Sequence, residues 1–190
     1  MSEPDRTSPG TSAGRRVVEQ RGLYFEELDE GVVYAHRPGR TVTETDNVLF
    51  TTMTMNTQAL HLDAAWSAGQ PFGQRLMNSM FTLATVVGQS VPQLTQGTIV
   101  AQLGLTDVSF PHPLYHGDTL YTETVVTGKR LSSSRPGQGI ATMQHTGRNQ
   151  AGEVVALATR SCLMWTREAH VAAQQETAQH GTVEKGTIGA

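Results

Sequence analysis

Leu76, Met80, Leu83, Ala84 and Val87 recur at spacings of four, three, one and three, which lays an apolar stripe along one helix. Gly88 weakens that helix near its end, and Val91-Pro92 is expected to stop it. Beyond it the period changes. Ile99, Ala101, Leu103 and Leu105 alternate on odd positions, then Val108 and Phe110 continue on even ones, a phase change that predicts a bulge near Thr106-Asp107. His116-Gly117-Asp118 reads as a turn, and residues 119–131 as a strand rich in Thr, Val and Tyr. Residues 132–139 form a loop, and residues 140–146 and 154–165 are two further strands joined by a turn around Asn149 and Gly152. One apolar helix ahead of a four-stranded meander constrains the chain to the α+β class. A single helix covers one face of such a sheet, so the other face needs loops or a second subunit.

Ahead of the helix, Val32-Val33-Tyr34 opens an extended segment that resumes at Arg40-Thr41-Val42 after Pro38-Gly39. Thr43 with Asp46 three residues later predicts an N-capped helix over residues 44–53. The stretch Asn56-Thr57-Gln58-Ala59-Leu60-His61-Leu62-Asp63 follows as an irregular connection or a short second helix. It carries one imidazole, whose ordinary pKa suits proton transfer near neutrality.

A chain of 190 residues allows one compact domain with ends to spare. Residues 1–20 and 168–190 are polar, rich in Ser, Pro, Gly, Gln or Thr, and lack an apolar face, so both read as disordered tails around a domain at 21–167. Nothing approaches a membrane-spanning run. Arg15-Arg16 precedes no apolar segment, so no secretory or twin-arginine signal is expected. One cysteine, Cys162, excludes an internal disulfide and a cysteine-based zinc site. The cytoplasm is then the default location, and a net charge of -3 carries no footprint for nucleic acid. His112, His116 and His145 show no metal-binding spacing and are expected at turns or on sheet faces. Met77, Met80 and Met143 are expected as core packing.

The order of elements resembles the hotdog fold, a long helix wrapped by an antiparallel sheet. Within it, the residues resemble the MaoC-type dehydratases, also called (R)-specific enoyl-CoA hydratases. Thr43-Glu44-Thr45-Asp46 is similar to that family's opening helix. The run from Asn56 through His61-Leu62-Asp63 to Trp66 is similar to its motif D-x-N-P-x-H-x-D, and Phe72-Gly73-Gln74-Arg75-Leu76 to its approach to the central helix. Phe110-Pro111, Pro113 and Gly117-Asp118-Thr119-Leu120 match the strands that follow. Asn78-Ser79-Met80-Phe81-Thr82-Leu83, residues 132–139 and Gly147-Arg148-Asn149-Gln150 resemble the branch that hydrates mesaconyl-CoA, a branched dicarboxylic thioester.

The resemblance implies a homodimeric or larger hydratase with no cofactor besides its coenzyme A thioester substrate. It implies catalysis by His61, with Asn56 standing where the family places its catalytic Asp. An amide cannot take a proton at neutral pH. Three accounts follow: His61 serves as both base and acid while Asn56 positions the water; Asp63, Glu44 or Asp46 replaces the missing carboxylate; or the protein binds acyl-CoA without hydrating it. Asn78 and Ser79, at the start of the central helix, are the expected thioester-binding pair. Arg130, Arg135 and Gly137 are candidates for the coenzyme A phosphates, and Arg75 and Arg148 for a substrate carboxylate.

Overall fold

The structure, a computed structural model, describes residues 18–184. Five strands form one antiparallel sheet in the order β1-β3-β4-β5-β2, with β1 at Val33–Thr41, β2 at Ile99–Ser109, β3 at Thr119–Leu131, β4 at Gln138–Arg148 and β5 at Val154–Trp165. Three short helices, α1 (Glu44–Met53), α2 (Ala59–Leu62) and α3 (Ala64–Ala68), link β1 to the long helix α4 (Ser79–Leu94). The α+β arrangement is the one expected. The four-stranded meander is not: β3, β4 and β5 form a meander, while β2 crosses to the far edge and pairs with β5. The predicted bulge is present, with Asp107 at φ 51° and the β2 register shifting between Thr106 and Ser109.

The helix α4 departs from its prediction in three ways. It begins after Leu76, which instead bridges to Tyr115 in the segment before β3. It runs through Pro92 to Leu94. Pro92 forfeits the bond to the carbonyl of Gly88, but both residues are exposed, so that carbonyl lies on the wet face. Beyond it Leu94 is fully buried among Phe25, Leu28 and Val126, a gain of about 2 kcal/mol that carries the last turn past the proline. Finally, the face turned to the sheet is Phe81, Thr82, Val86, Ser90 and Leu94. The stripe of Met80, Leu83, Ala84 and Val87 lies on the outer side, with Met80 51% exposed. Met77 and Met143 are core residues as expected; Met80 is not.

The expected C-terminal tail is also overturned. Residues 167–184 form α5 (Arg167–Glu184). Its amphipathy is weak, but its first turn is anchored: Arg167 N–H donates to Glu26, Thr166 Oγ1 donates to the Gly137 carbonyl, and the His170 ring stacks on Trp165. Of the two predicted tails, residues 1–17 and 185–190 lie outside the described residues, and residues 18–20 are exposed with no regular secondary structure.

Two apolar clusters sit between α4 and the sheet. One gathers Val42, Met77, Phe81, Leu114, Leu120 and Ala156; the other gathers Phe25, Leu94, Val126, Met143, Cys162 and Met164. A buried polar row takes one residue from each of four strands, His36, Thr124, His145 and Arg160, and ends at the exposed Gln102 on the β2 edge. His36 Nδ1 donates to Gln93 Oε1 at 2.8 Å, which leaves His36 Nε2 to accept from Thr124 Oγ1 at 2.8 Å. The single hydroxyl proton is then spent, so Thr124 accepts from His145 Nδ1 at 2.7 Å. Burial disfavours the charged form of both rings, consistent with this assignment. Burial, with Arg160 and His36 nearby, holds His145 down at about 3, and burial also lowers His36. Arg160 Nε donates to Gln102 Oε1 at 3.1 Å.

An unfolded chain takes up a proton on His145 near pH 6.5, whereas the folded protein resists until about pH 3. Stability is therefore complete above pH 6.5 and drains away as the pH falls through that window, by about 1.4 kcal/mol per pH unit for this one ring. Urea unfolding at pH 7.5 and pH 5.0 checks this. His145→Gln is expected to show a smaller drop between the two pH values than the natural protein; an equal drop would assign the effect to other groups.

Candidate active site

The site is assembled around α1. Thr43 and Asp46 form the predicted capping box: Thr43 Oγ1 accepts from Asp46 N–H, and Asp46 Oδ2 accepts from Thr43 N–H. This fixes the start of the helix and turns Asn47 and Thr51, one turn apart, inward. Both are fully buried. Asn47 Oδ1 accepts from the Asn78 N–H at 2.8 Å, while its Nδ2 faces the carbonyls of His61 at 3.1 Å and Leu76 at 3.0 Å and His116 Nε2 at 3.0 Å. One amide thus joins α1, the His61 segment, the entry to α4 and the turn before β3.

His61 is 8% exposed on α2. Its Nδ1 lies 3.0 Å from the same Leu76 carbonyl. A carbonyl only accepts, so Nδ1 carries the proton and Nε2 is the atom left for proton exchange. The Leu76 carbonyl, held on its other side by Asn47, sets the ring's orientation.

The other predicted residues fall into three places. Asn56 is half-buried between α1 and α2, where its Oδ1 accepts from the Gln58 N–H at 3.1 Å. Asp63 is exposed and caps α3, accepting from the Trp66 N–H at 2.9 Å; it is not aimed at His61's chemistry. Asn78 caps α4: its Oδ1 accepts from Met80 N–H, its Nδ2 donates to Thr51 Oγ1, and its own N–H is taken by Asn47. Its backbone N–H is therefore not available to a thioester, and one of its two Nδ2 hydrogens is spent on Thr51. Ser79 differs. Its N–H, first in α4, has no protein partner among the described residues, and it lines a cavity of about 190 Å³.

That cavity lies between the start of α4 and the segment preceding β3, walled by Phe72, Leu76, Met77, Phe110, Leu114 and Val155 with Ser79, Thr82 and His112 as its polar members. Arg75 is engaged with Glu44 at 2.5 Å, and its charge together with burial lowers the nearby His116, burial being the larger cause. Arg148, at the end of β4, donates to the Gly152 carbonyl and sits 4.0 Å from Glu123. Neither arginine is unpaired.

Arg130, Arg135 and Gly137 are not gathered with His61. They lie at or beyond the far end of β3, whereas the site adjoins its start at Thr119; eleven residues of strand separate Thr119 from Arg130, roughly 36 Å. Arg130 lines a shallow pocket with Lys129 and Ile140. Gly137 serves α5 instead. It has φ 76°, its carbonyl accepts from Thr166, and a Cβ there would come within 2.3 Å of Ala169 Cβ. Among the described residues no group of three or more His, Cys, Asp or Glu side chains is placed to hold a metal ion.

Asn47 and His112 are the residues that sequence reasoning missed or passed over. Asn47 did leave a signal: an asparagine inside a helix, one turn before a threonine, places polar groups on the face that packs.

A MaoC-like domain model matches residues 27–149, well over half of the chain. The chain belongs to the MaoC-like domain family. Among the curated relatives of this MaoC-like domain, a mesaconyl-CoA hydratase of Haloarcula marismortui is 30% identical over 155 residues, which are 81% of this chain and 43% of that protein. A beta-methylmalyl-CoA dehydratase of Chloroflexus aurantiacus is 32% identical over 141 residues, 70% of this chain and 38% of that protein. The domain therefore spans less than half the length of these relatives. Among solved structures, a Mycobacterium tuberculosis protein with a double hotdog fold is 28% identical with a TM-score of 0.68, covering 77% of this chain and 44% of that one. The architecture of this MaoC-like domain is the hotdog fold.

Asn47→Ala removes the acceptor of one buried N–H and the donor to two buried carbonyls. It is expected to destabilise the protein by about 3 kcal/mol or more in urea unfolding, while Asp63→Ala, which removes only an exposed cap, costs about 1 kcal/mol. Equal effects would show that Asn47 is not the organising group.

Proposed function

We propose that this MaoC-like domain is a hydro-lyase that reversibly adds water across the double bond of a short or branched enoyl-CoA. The observation that carries this reading is His61, whose Nδ1 proton is committed to the Leu76 carbonyl so that Nε2 is left to exchange a proton; Leu76 itself lines a small cavity at the start of α4. Hydration requires a proton to leave the attacking water, a proton to reach the α-carbon, and donors for the enolate-like oxygen. His61 carries a proton in this scheme. The Ser79 N–H, at the positive end of α4, serves the thioester oxygen, and the Asn56 amide holds the water.

A cavity of about 190 Å³ suits a short acyl group. The named relatives act on mesaconyl-CoA and beta-methylmalyl-CoA, which favours a branched dicarboxylic acyl chain here. Coenzyme A enters as part of the substrate, and the scheme uses neither metal nor redox cofactor. A homodimer or larger assembly is part of the same proposal. The apolar outer side of α4 and the unpaired edge of β2, with Leu103 and Val108 exposed, supply surfaces for a second copy. The protein is then a cytoplasmic enzyme; no helix among the described residues is long and apolar enough to cross a membrane.

The non-catalytic reading is favoured by one observation, the amide at Asn56. Loss of enoyl absorbance with crotonyl-, mesaconyl-, itaconyl- and a medium-chain enoyl-CoA separates the two. Turnover of one or more members is expected, with His61→Ala lowering it by at least 10²-fold while acyl-CoA binding survives, and Asn56→Asp keeping or raising it. Binding without turnover across the panel would sink the hydratase reading, and release of free thiol from saturated acyl-CoA would replace it with a thioesterase.

A further inference from the structure

Hydration moves two protons, and the segment around His61 supplies one titratable group for them. The Asn56 amide neither takes up nor gives up a proton as an acid or base at neutral pH. The three acids nearest in sequence are each committed elsewhere. Asp63 caps α3, Asp46 closes the capping box of α1 and pairs with Arg40, and Glu44 pairs with Arg75. None of them lines the cavity at the start of α4. Of the side chains that do, His112 is the one that carries an imidazole.

His112 is also held as a proton carrier needs to be. Its Nδ1 lies 3.0 Å from the Val154 carbonyl, so Nδ1 donates and Nε2 is free to exchange, the same tautomeric arrangement as at His61. Pro111 and Pro113 fix the backbone on either side, which gives the ring a stiff mount. It shares the cavity wall with Ser79 and with Leu76, the residue whose carbonyl orients His61. His112 is itself exposed, so its proton equilibrates with solvent.

We propose that His112 is the second proton carrier of the hydratase, the base that activates the attacking water; this rests on the hydratase reading. The water oxygen bonds to the β-carbon as its proton passes to His112 Nε2. The π pair of the double bond moves through the thioester enolate, whose oxygen is met by the Ser79 N–H. The α-carbon then takes a proton from Nε2 of His61, which enters the cycle as the imidazolium, with Nδ1–H on the Leu76 carbonyl and a second proton loaded onto Nε2 from solvent. One water has been added, His112 is left protonated and His61 neutral, and exchange with bulk water resets both.

The test uses the full chain and whichever enoyl-CoA of the panel the natural protein turns over. His112→Gln and His112→Phe are expected to keep the natural melting temperature and calorimetric affinity for butyryl-CoA. Both should lose kcat by about 10²–10⁴-fold with KM within a few-fold, and both should lose the acid limb of the kcat–pH profile. Natural kcat with an intact acid limb in both variants overturns the inference, as does a rise in KM at unchanged kcat, which would make His112 a binding residue only. A natural protein that turns over no panel member fails the hydratase reading itself, and the catalytic role of His112 falls with it; an active natural protein with active variants fails His112 alone.

Discussion

The side-chain amide of Asn47 is the constraint on which the site depends. It is fully buried and sits where four segments distant in sequence converge: α1, the His61 turn, the entry to α4 and the turn before β3. Each of those segments ends in backbone groups that no helix or strand satisfies. Burying them unpaired would cost about 1–3 kcal/mol apiece. Asn47 meets an N–H with its oxygen and two carbonyls with its nitrogen, and so makes a polar junction compatible with a dry interior. The orientation of His61 follows at one remove, because the Leu76 carbonyl held by Asn47 also receives the imidazole proton.

Much of the fold was legible where local chemistry and tertiary structure agree. The capping box at Thr43 and Asp46, the phase change at Asp107, and the meander from β3 to β5 are decided by residues close in sequence, and each stands where the pattern placed it. The failures are the places where distant contacts decide. Nothing local tells β2 to leave β3 and pair with β5. Pro92 is a helix breaker until Leu94 has a core to enter. The apolar stripe on α4 is real, but a helix apolar on most sides does not declare which side meets the sheet. The segment from Arg167 onward lacks an apolar face and is ordered by a few anchors to Gly137, Glu26 and Trp165.

The site divides in the same way. His61 stands in a contiguous motif, so the expectation about it needs only that segment. Asn78 sits at the predicted helix start, yet its N–H is consumed by a residue thirty-one positions earlier, which no reading of the segment alone reveals. The arginines and glycine of the β3–β4 loop stand at the opposite end of a long strand from His61. Cations grouped in sequence near a plausible motif acquire a role on paper that the length of a β-strand removes within one chain. His112 shows the converse. Its segment is remote from the start of α4 in sequence, and only the fold brings it to the cavity wall that Leu76 and Ser79 also line.

The polar row beneath α4 has a consequence for how the sheet chooses its alignment. Strands β3 and β4 alternate inward and outward side chains with a period of two, so sliding one past the other by two residues would keep every apolar side chain on its proper side. Hydrophobicity alone is blind to that error. The row is not. Thr124 stands directly opposite His145; a two-residue slip would set His145 against Val126 in one direction and, in the other, against Thr122, whose hydroxyl proton is already given to Gln89. The row acts as a vernier, reading the alignment of the strands at a resolution that oil and water cannot supply.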